Sequence, residues 1–383
     1  MTTAFTINNS CLHYEELSLP FEINSFPRPY TVTMVESLSD YQALVLAADF
    51  IIIDERVADL YSVDAQSQPS IFKVRALEEN KSMQTVLDIL NAFIDNNISK
   101  GSRVLAIGGG IIQDLAACAC ALFRRGQPFT YFPTTTLGQL DSCVGAKCAV
   151  NTPKAKNIIG LFSAPSEVII PAFMIETMPL IDHRAGLSEM LRLCLTASSG
   201  AVSQFMHLFP SISSPAFIDL AIYKTALALS LSIKKAVVDY DEYERDVRRS
   251  MNYGHTFGHA IEKLTDYSLP HGLAVLLGMH MANTFSLASG FMTESTYLAV
   301  TKAIKMTIAG VPLNQAAFFA LKPQEIVDQF RYDKKGDGES LPLILIKHPG
   351  NMLFYRYRFD STGEGLLEPI RTAMSEFLSW TAQ

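Results

Sequence analysis

The sequence predicts two domains, an α/β half over residues 1–175 and a mostly α-helical half over residues 176–383. Three observations carry this. In the first half, apolar strand-like runs alternate with segments of helical periodicity, the pattern of a parallel sheet covered by helices. From about Arg184 the periodicity becomes helical throughout. Where the pattern changes, Pro171 and Pro179 flank a short segment and mark a boundary. A length of 383 residues suits two domains at roughly 100–200 residues each.

The elements follow in order. "YQALVLAADFIIIDERVADLY" gives a helix end, a buried strand at Phe50–Ile53 and a turn. "KSMQTVLDILNAFIDNNIS" sets Val86, Ile89, Leu90 and Phe93 at helical spacing. "SRVLAIGGG" is a short apolar strand running into three glycines; "IIQDLAACACALF" resumes helical periodicity, and "FTYFPTTT" is another strand. Beyond the boundary, "GLSEMLRLCLTA", "AIYKTALALSLSIKKAVVDYD", "SMNYGHTFGHAIEKL" and "GLAVLLGMHMANTFSLASG" all read as helices. A cleft between two such domains is a common place for an active site.

Composition narrows the function. Apolar residues make up 49% and charged residues 18%, a globular balance with ample core. A net charge of −7 argues against a nucleic-acid partner while allowing a local basic pocket for a small anion. The six cysteines (Cys11, Cys118, Cys120, Cys143, Cys148 and Cys194) form no CxxC pair and read as reduced thiols. The N-terminus has no basic region followed by an apolar run, so no signal peptide is expected. "LAADFIII" and "LAACACALF" are too short to span a bilayer. The expectation is a cytoplasmic protein without a membrane partner.

Several segments carry polar chemistry. Gly108, Gly109 and Gly110 lie between a strand and a helix, where bare backbone and a helix N-terminus favour a phosphate or simply make a tight turn. "YFPTTTLGQLDS" offers hydroxyls for a cofactor or for capping the next helix. "DSCVGAKCAVNTPKAKNIIG" holds Asp141, Lys147, Lys154, Lys156 and Asn157 among small residues, an anion pocket or, for Lys154, a solvated loop. Glu189 sits on an otherwise apolar helix and needs a cation, either a metal or Arg192 three residues on. His255 and His259 share one helix face, and His271 follows in "LPHGL"; with Glu189 they compose a plausible Zn2+ set. Lys234, Lys235, Arg248, Arg249, Lys334 and Lys335 give the second half a basic complement for an anionic substrate.

Read together, "GGGIIQDLA", "FRRGQPFTYFPTTTLGQLDSCVGAKCAVN", "KNIIG", "GLSEML" and "RRSMNYGHTFGHAIE…LPHGLAV" resemble the sugar phosphate cyclase superfamily, most of all the 3-dehydroquinate synthases. The resemblance covers roughly residues 70–340. It implies an NAD-binding α/β domain, a helical domain holding a divalent metal (Zn or Co), and a site between them. It implies metal ligands at Glu189, His255 and His271, with His259 in the site but off the metal. Cofactor contacts would fall at Asp54, Glu78, Lys81, Gly109, Gly110, Asp114, Thr134 and Thr135. Asp141, Lys147, Lys234, Glu244, Arg248, Asn252 and His259 would serve catalysis. Arg125, Lys156, Asn157, Arg192 and Lys334 or Lys335 would bind substrate.

The reaction so implied turns a phosphorylated sugar, 3-deoxy-arabino-heptulosonate 7-phosphate, into the carbocycle 3-dehydroquinate with release of phosphate, in a homodimer. The sequence also departs from the family pattern. Arg192 stands where a lysine is usual, Leu273 replaces a glutamate, "GAKC" brings Ala146 and Cys148, and Ala155 precedes Lys156. These positions keep open 2-deoxy-scyllo-inosose synthase, amino-dehydroquinate synthase and sedoheptulose 7-phosphate cyclase types, and a glycerol dehydrogenase-like oxidoreductase of similar fold. Arg248 fits a carboxylated substrate and favours the dehydroquinate type.

Overall fold

The computed structural model describes residues 2–7, 10–61, 70–313, 320–332, 340–359 and 364–381. Lys334 and Lys335 lie outside the described residues. The chain divides into two compact units, Leu17–Met178 and Met1–Glu16 with Pro179–Gln383. The first sixteen residues therefore belong with the C-terminal half rather than with residues 17–175. Their strands explain why. β1 (Thr2–Ile7) pairs antiparallel with β2 (Ser10–Glu15) and parallel with a strand near the C-terminus.

The Leu17–Met178 unit is built on a seven-stranded sheet. In chain order its strands are β3 (Phe21–Ile23), β4 (Tyr30–Val35), β5 (Phe50–Asp54), β6 (Ser70–Val74), β7 (Val104–Gly108), β8 (Phe129–Pro133) and, after a hairpin, β11 (Glu167–Pro171). The spatial order is β3-β4-β11-β8-β7-β5-β6, parallel except for the β3–β4 pair. β5 and β7 are apolar because helices cover both faces of a parallel sheet; every residue of β7 is buried.

Helix α1 (Leu38–Leu46) and helix α2 (Glu55–Leu60) flank β5, the latter where the sequence reads as a turn. Asp54 starts α2 by accepting the Arg56 N–H at 3.1 Å. Helix α3 (Met83–Asp95) buries Val86, Ile89 and Phe93, and Ser82 caps it. Helix α4 (Gly110–Leu122) begins two residues after β7 ends. The segment around Lys154 is the turn of a hairpin between β9 (Lys147–Thr152) and β10 (Ala155–Phe162).

The other unit is mostly helical: α5 (Leu180–Ala197), α6 (Ser199–Ile212), α7 (Leu220–Tyr240), α8 (His255–Leu264), α9 (His271–Ala288), α10 (Glu294–Ile308), α11 (Pro323–Tyr332) and α12 (Glu364–Thr381). A four-stranded sheet accompanies them in the order β12-β13-β1-β2, with β12 at Ser340–His348 and β13 at Asn351–Arg358. α5 and α9 are buried almost all round, which is why their sequences lack a clear polar face.

The segment 250–264 is not one helix. Residues Val247–Asn252 form a tight 3₁₀ turn, and α8 starts at His255 after Gly254, whose φ is +81°. A side chain at Gly254 would be strained there and would meet Met279 Cγ at 2.6 Å. Among the described residues no helix is long and apolar enough to cross a membrane. All six cysteines are free, and all but Cys11 are buried.

Candidate metal and cofactor-binding residues

Three helices of the C-terminal unit bring a carboxylate and two imidazoles together. α5 carries Glu189, while His255 and His271 are the first residues of α8 and α9. One donor atom from each lies within 4.8 Å of the other two. Each of these side chains is tied by its other polar atom. Arg192 Nε donates to Glu189 Oε2 at 2.5 Å. His255 Nδ1 donates to the Tyr253 carbonyl at 3.3 Å, and His271 Nδ1 to Glu262 Oε2 at 3.2 Å. What remains is Glu189 Oε1, which is buried, accepts no hydrogen bond, and stands 3.7 Å from His271 Nε2.

A buried carboxylate oxygen without a partner is costly unless a cation meets it. Imidazoles whose Nδ1 is held by a carbonyl or carboxylate present Nε2 as a ligand. These residues therefore fit a divalent ion of the Zn2+ or Co2+ kind. Burial holds His255 well below the ordinary histidine range, helped by the charges of His271, Arg192 and His259, so its ring is neutral and can donate a lone pair. Burial acts downward on His271 as well, but Glu262 and Glu189 outweigh it and raise that pKa.

A second group shares His271: donor atoms of His259, Glu262 and His271 also lie within 4.8 Å of one another. The His259 ring lies 5.4 Å from that of His255 and stacks on His271 at 5.9 Å. The i, i+4 histidine pair is thus split between two groups. Arg192 is 2% exposed, and besides Glu189 its NH1 donates to Met251 Sδ at 3.3 Å.

The loop between α7 and α8 gathers more of the expected residues. Asp241 organises it by accepting the backbone N–H groups of Arg245, Asp246 and Arg248 at 2.8–3.0 Å. Burial pushes the Asp241 carboxyl up, but these three donors and the Arg248 charge leave it below the usual carboxylate range. Arg248 is buried and donates to the Glu242 carbonyl. Asn252 donates to the Glu244 carboxylate, and Glu244 holds a left-handed φ of +56°. Lys234, also buried, lies on α7.

In the Leu17–Met178 unit a second polar cluster joins residues far apart in sequence. Lys81 Nζ lies 2.5 Å from Asp114 Oδ2 and donates to Asn157 Oδ1 at 2.7 Å. Lys156 Nζ lies 3.3 Å from Glu78 Oε1. Asn151 joins the two pairs, donating to Glu78 Oε1 at 2.7 Å and accepting the Asn157 N–H at 2.9 Å. The Ala149 N–H donates to Asp114 Oδ1 at 3.1 Å. Burial keeps the Asp114 carboxyl above its ordinary value despite Lys81.

The glycine turn lies in the same unit. α4 begins with Gly109 as its N-cap and no side-chain cap, so its first N–H groups are left for another acceptor. A Cβ on Gly110 would meet nothing within 4 Å, whereas one on Gly109 would stand 2.8 Å from Thr135 Cγ2. Open backbone donors at a helix N-terminus fit the pyrophosphate of a dinucleotide. Thr135 caps locally, accepting the Gly138 N–H at 3.1 Å, and Thr134 is buried. Asp54 caps α2, with its carboxyl raised by burial. Asp141 is buried in a π-helical turn over Gly138–Ser142; Lys147 and Arg125 are exposed, Arg125 at a left-handed φ of +62°.

Three residues of these clusters escape the sequence reading, Tyr253, Asn151 and Asp241, and a fourth, Glu262, stands in the histidine segment without an assigned role. Glu262 is signalled by lying one turn beyond His259 on the same helix face. The Tyr253 contact is through its carbonyl and leaves no side-chain signal.

Comparison with known proteins agrees across the chain. Residues 71–185 match the family described as 3-dehydroquinate synthase N-terminal, and residues 186–336 that described as 3-dehydroquinate synthase C-terminal. The 3-dehydroquinate synthase of Helicobacter hepaticus is 34% identical over 276 residues, which is 72% of this chain and 75% of that protein. Among solved structures, 2-deoxy-scyllo-inosose synthase complexed with carbaglucose-6-phosphate, NAD+ and Co2+ superposes with a TM-score of 0.78 at 22% identity, covering 92% of this chain and 99% of the other. ValA, the 2-epi-5-epi-valiolone synthase of Streptomyces hygroscopicus subsp. jinggangensis 5008 with NAD+ and Zn2+ bound, gives 0.77 at 22% identity over 94% and 99%. At that identity the two structures speak for the fold.

Proposed function

The chain belongs to the 3-dehydroquinate synthase family, and from that premise we propose that it converts 3-deoxy-arabino-heptulosonate 7-phosphate to 3-dehydroquinate and inorganic phosphate, using NAD and a divalent metal. The observation that carries the reading is Glu189 Oε1, buried without a hydrogen bond and converging with His255 and His271. Glu189, His255 and His271 would hold the metal. The N-terminus of α4 at Gly109 and Gly110, with Asp54, Glu78, Lys81, Asp114, Thr134 and Thr135, would hold NAD. When bound, the pair would supply reversible acceptance of the hydride from a ring carbinol carbon and polarisation of that carbinol's oxygen.

The chain's own residues do the positioning. Lys156, Asn157 and Arg125 bind the phosphate, which serves as the base for its own elimination and lessens the need for a strong protein base. Lys234, Arg248 and Asn252 orient the carboxylate and hydroxyls, and Glu244 fixes the Asn252 amide by accepting its hydrogen bond. Asp141 and Lys147 complete the polar contacts. His259, beside the metal group, moves the proton at its ring nitrogen. Holding one flexible chain of carbons in the cyclising conformation supplies much of the rate. The reading places the enzyme in the cytoplasm, with its six free thiols, as a homodimer.

Incubation with catalytic NAD+, Co2+ and a panel of sugar phosphates, following phosphate release and product, tests this. One phosphate per 3-dehydroquinate, with no net NADH, is expected from the heptulosonate. Release from glucose 6-phosphate or sedoheptulose 7-phosphate alone would move the assignment to another cyclase. Net NADH from a simple polyol without phosphate release would make the chain an oxidoreductase.

A further inference from the structure

We propose that Arg192 is a positioning residue: by occupying Oε2 of Glu189 through its Nε–H, it restricts that carboxylate to one-oxygen coordination of the metal through Oε1. This rests on the reading of Glu189, His255 and His271 as a metal site. Arg192 is the largest of the fully buried side chains, and its sequence position had marked it for substrate. The geometry points elsewhere. Nε meets Oε2 at 2.5 Å, with both side chains 2% exposed, and NH1 is spent on Met251 Sδ at 3.3 Å. Oε1 is left bare on the side facing His271 Nε2 at 3.7 Å.

Two consequences follow from the same contact. A buried carboxylate that keeps an ionic partner is stabilised before any metal arrives, so the donor group is ordered in the metal-free protein. A carboxylate held by one oxygen also leaves a coordination position for a substrate oxygen; one bound through both oxygens would fill it. Lysine would place its donor nitrogen one bond farther from the backbone than arginine Nε and has no donor at the ε position, so the interchange with arginine is not conservative at this point.

Side-chain length supplies the test. The amide nitrogen of glutamine sits at the same bond from Cα as arginine Nε, so Arg192→Gln keeps the hydrogen bond and removes the charge. Arg192→Met keeps the length and removes the donor. Arg192→Lys keeps the charge and moves the donor. The full-length protein is loaded with Co2+, and its visible absorption, which reports coordination number, is measured for each.

Arg192→Gln is expected to match wild type. Arg192→Met and Arg192→Lys lose intensity by roughly twofold or more as Oε2 joins the coordination sphere. A wild-type spectrum from Arg192→Met, or a spectrum altered by Arg192→Gln and kept by Arg192→Lys, overturns the proposal. Should Arg192→Met not fold, the glutamine and lysine variants decide. A wild type that takes up no Co2+, or an uptake that Glu189→Gln leaves unchanged, refutes the metal site itself and the role of Arg192 with it.

Discussion

Glu262 accepts the Nδ1 hydrogen of His271 at 3.2 Å, and its side chain is only 11% exposed. A carboxylate in that position fixes the ring and makes Nε2 a better donor. Glu262→Gln preserves shape and weakens the acceptor, and Co2+ affinity is expected to fall roughly 10- to 100-fold. Titration of the metal-free variant with Co2+ measures this. Unchanged affinity would mean that packing alone orients His271.

His259 and His271 should separate by function. His271→Ala removes a member of the group centred on Glu189 and should abolish both metal binding and turnover. His259→Ala should retain one equivalent of metal while kcat drops about a hundredfold, the scale of a lost proton-transfer group. Metal content and steady-state rates on both variants check the division. Equal metal loss would instead favour the neighbouring group of His259, Glu262 and His271.

The parts of this picture that depend on neighbours in sequence were readable, and those that depend on distant partners were not. The apolar runs of β5 and β7 announce buried parallel strands because burial on both faces leaves no alternation to hide. The Glu189–Arg192 pair is three residues apart on one helix, so its contact is written in the spacing. The pairing of β1 with β13 joins opposite ends of the chain and leaves no local trace. The link from Lys81 to Asn157 spans 76 residues and needs Asn157 at a left-handed φ of +52°, which side-chain type alone does not dictate. α8 starts only at His255 because Gly254 takes a left-handed φ close against α9, where a Cβ would collide with Met279 and the Val275 carbonyl, a contact that only the packed helices reveal.

His183 sets a limit on acid stability. It lies fully buried in the first turn of α5, and its Nε2 donates to the Ile212 carbonyl at 2.6 Å. Burial lowers its pKa from 6.5 to about 4; the Arg184 charge helps, and the Ile212 bond opposes. Above pH 6.5 the ring is neutral in folded and unfolded chains alike, so it contributes no pH dependence. As pH falls from 6.5 towards 4 the unfolded chain binds a proton that the folded protein refuses, so stability is lost at up to about 1.4 kcal/mol per pH unit, about 3 kcal/mol in all. His183→Gln should remove that part of the slope. Denaturant midpoints between pH 7 and 4.5 measure it, and parallel slopes for the two proteins would show that His183 plays no part.

The spacing of Glu189 and His271 depends on a bare Cα. Gly272 follows His271 at the start of α9, and a Cβ there would stand 1.9 Å from the Ala185 carbonyl oxygen and 2.6 Å from its carbon. Ala185 is on α5, one turn before Glu189. The two helices can therefore approach closely only while position 272 has no side chain. Helix propensity alone would make Gly272→Ala stabilising by up to about 1 kcal/mol. Overpacking against rigid backbone costs about 1–3 kcal/mol or more, so the clash should win. The variant is expected to melt at lower temperature. Where it folds, it should bind Co2+ more weakly, because separating α5 from α9 draws Glu189 Oε1 away from His271 Nε2. Gly200→Ala is the control: near the start of α6, its Cβ would find only Ser198 Oγ at 3.6 Å, an ordinary contact, so melting temperature should hold or rise with helix propensity and Co2+ affinity should hold. Wild-type stability and wild-type Co2+ affinity in Gly272→Ala would show that the helix crossing does not set the metal geometry.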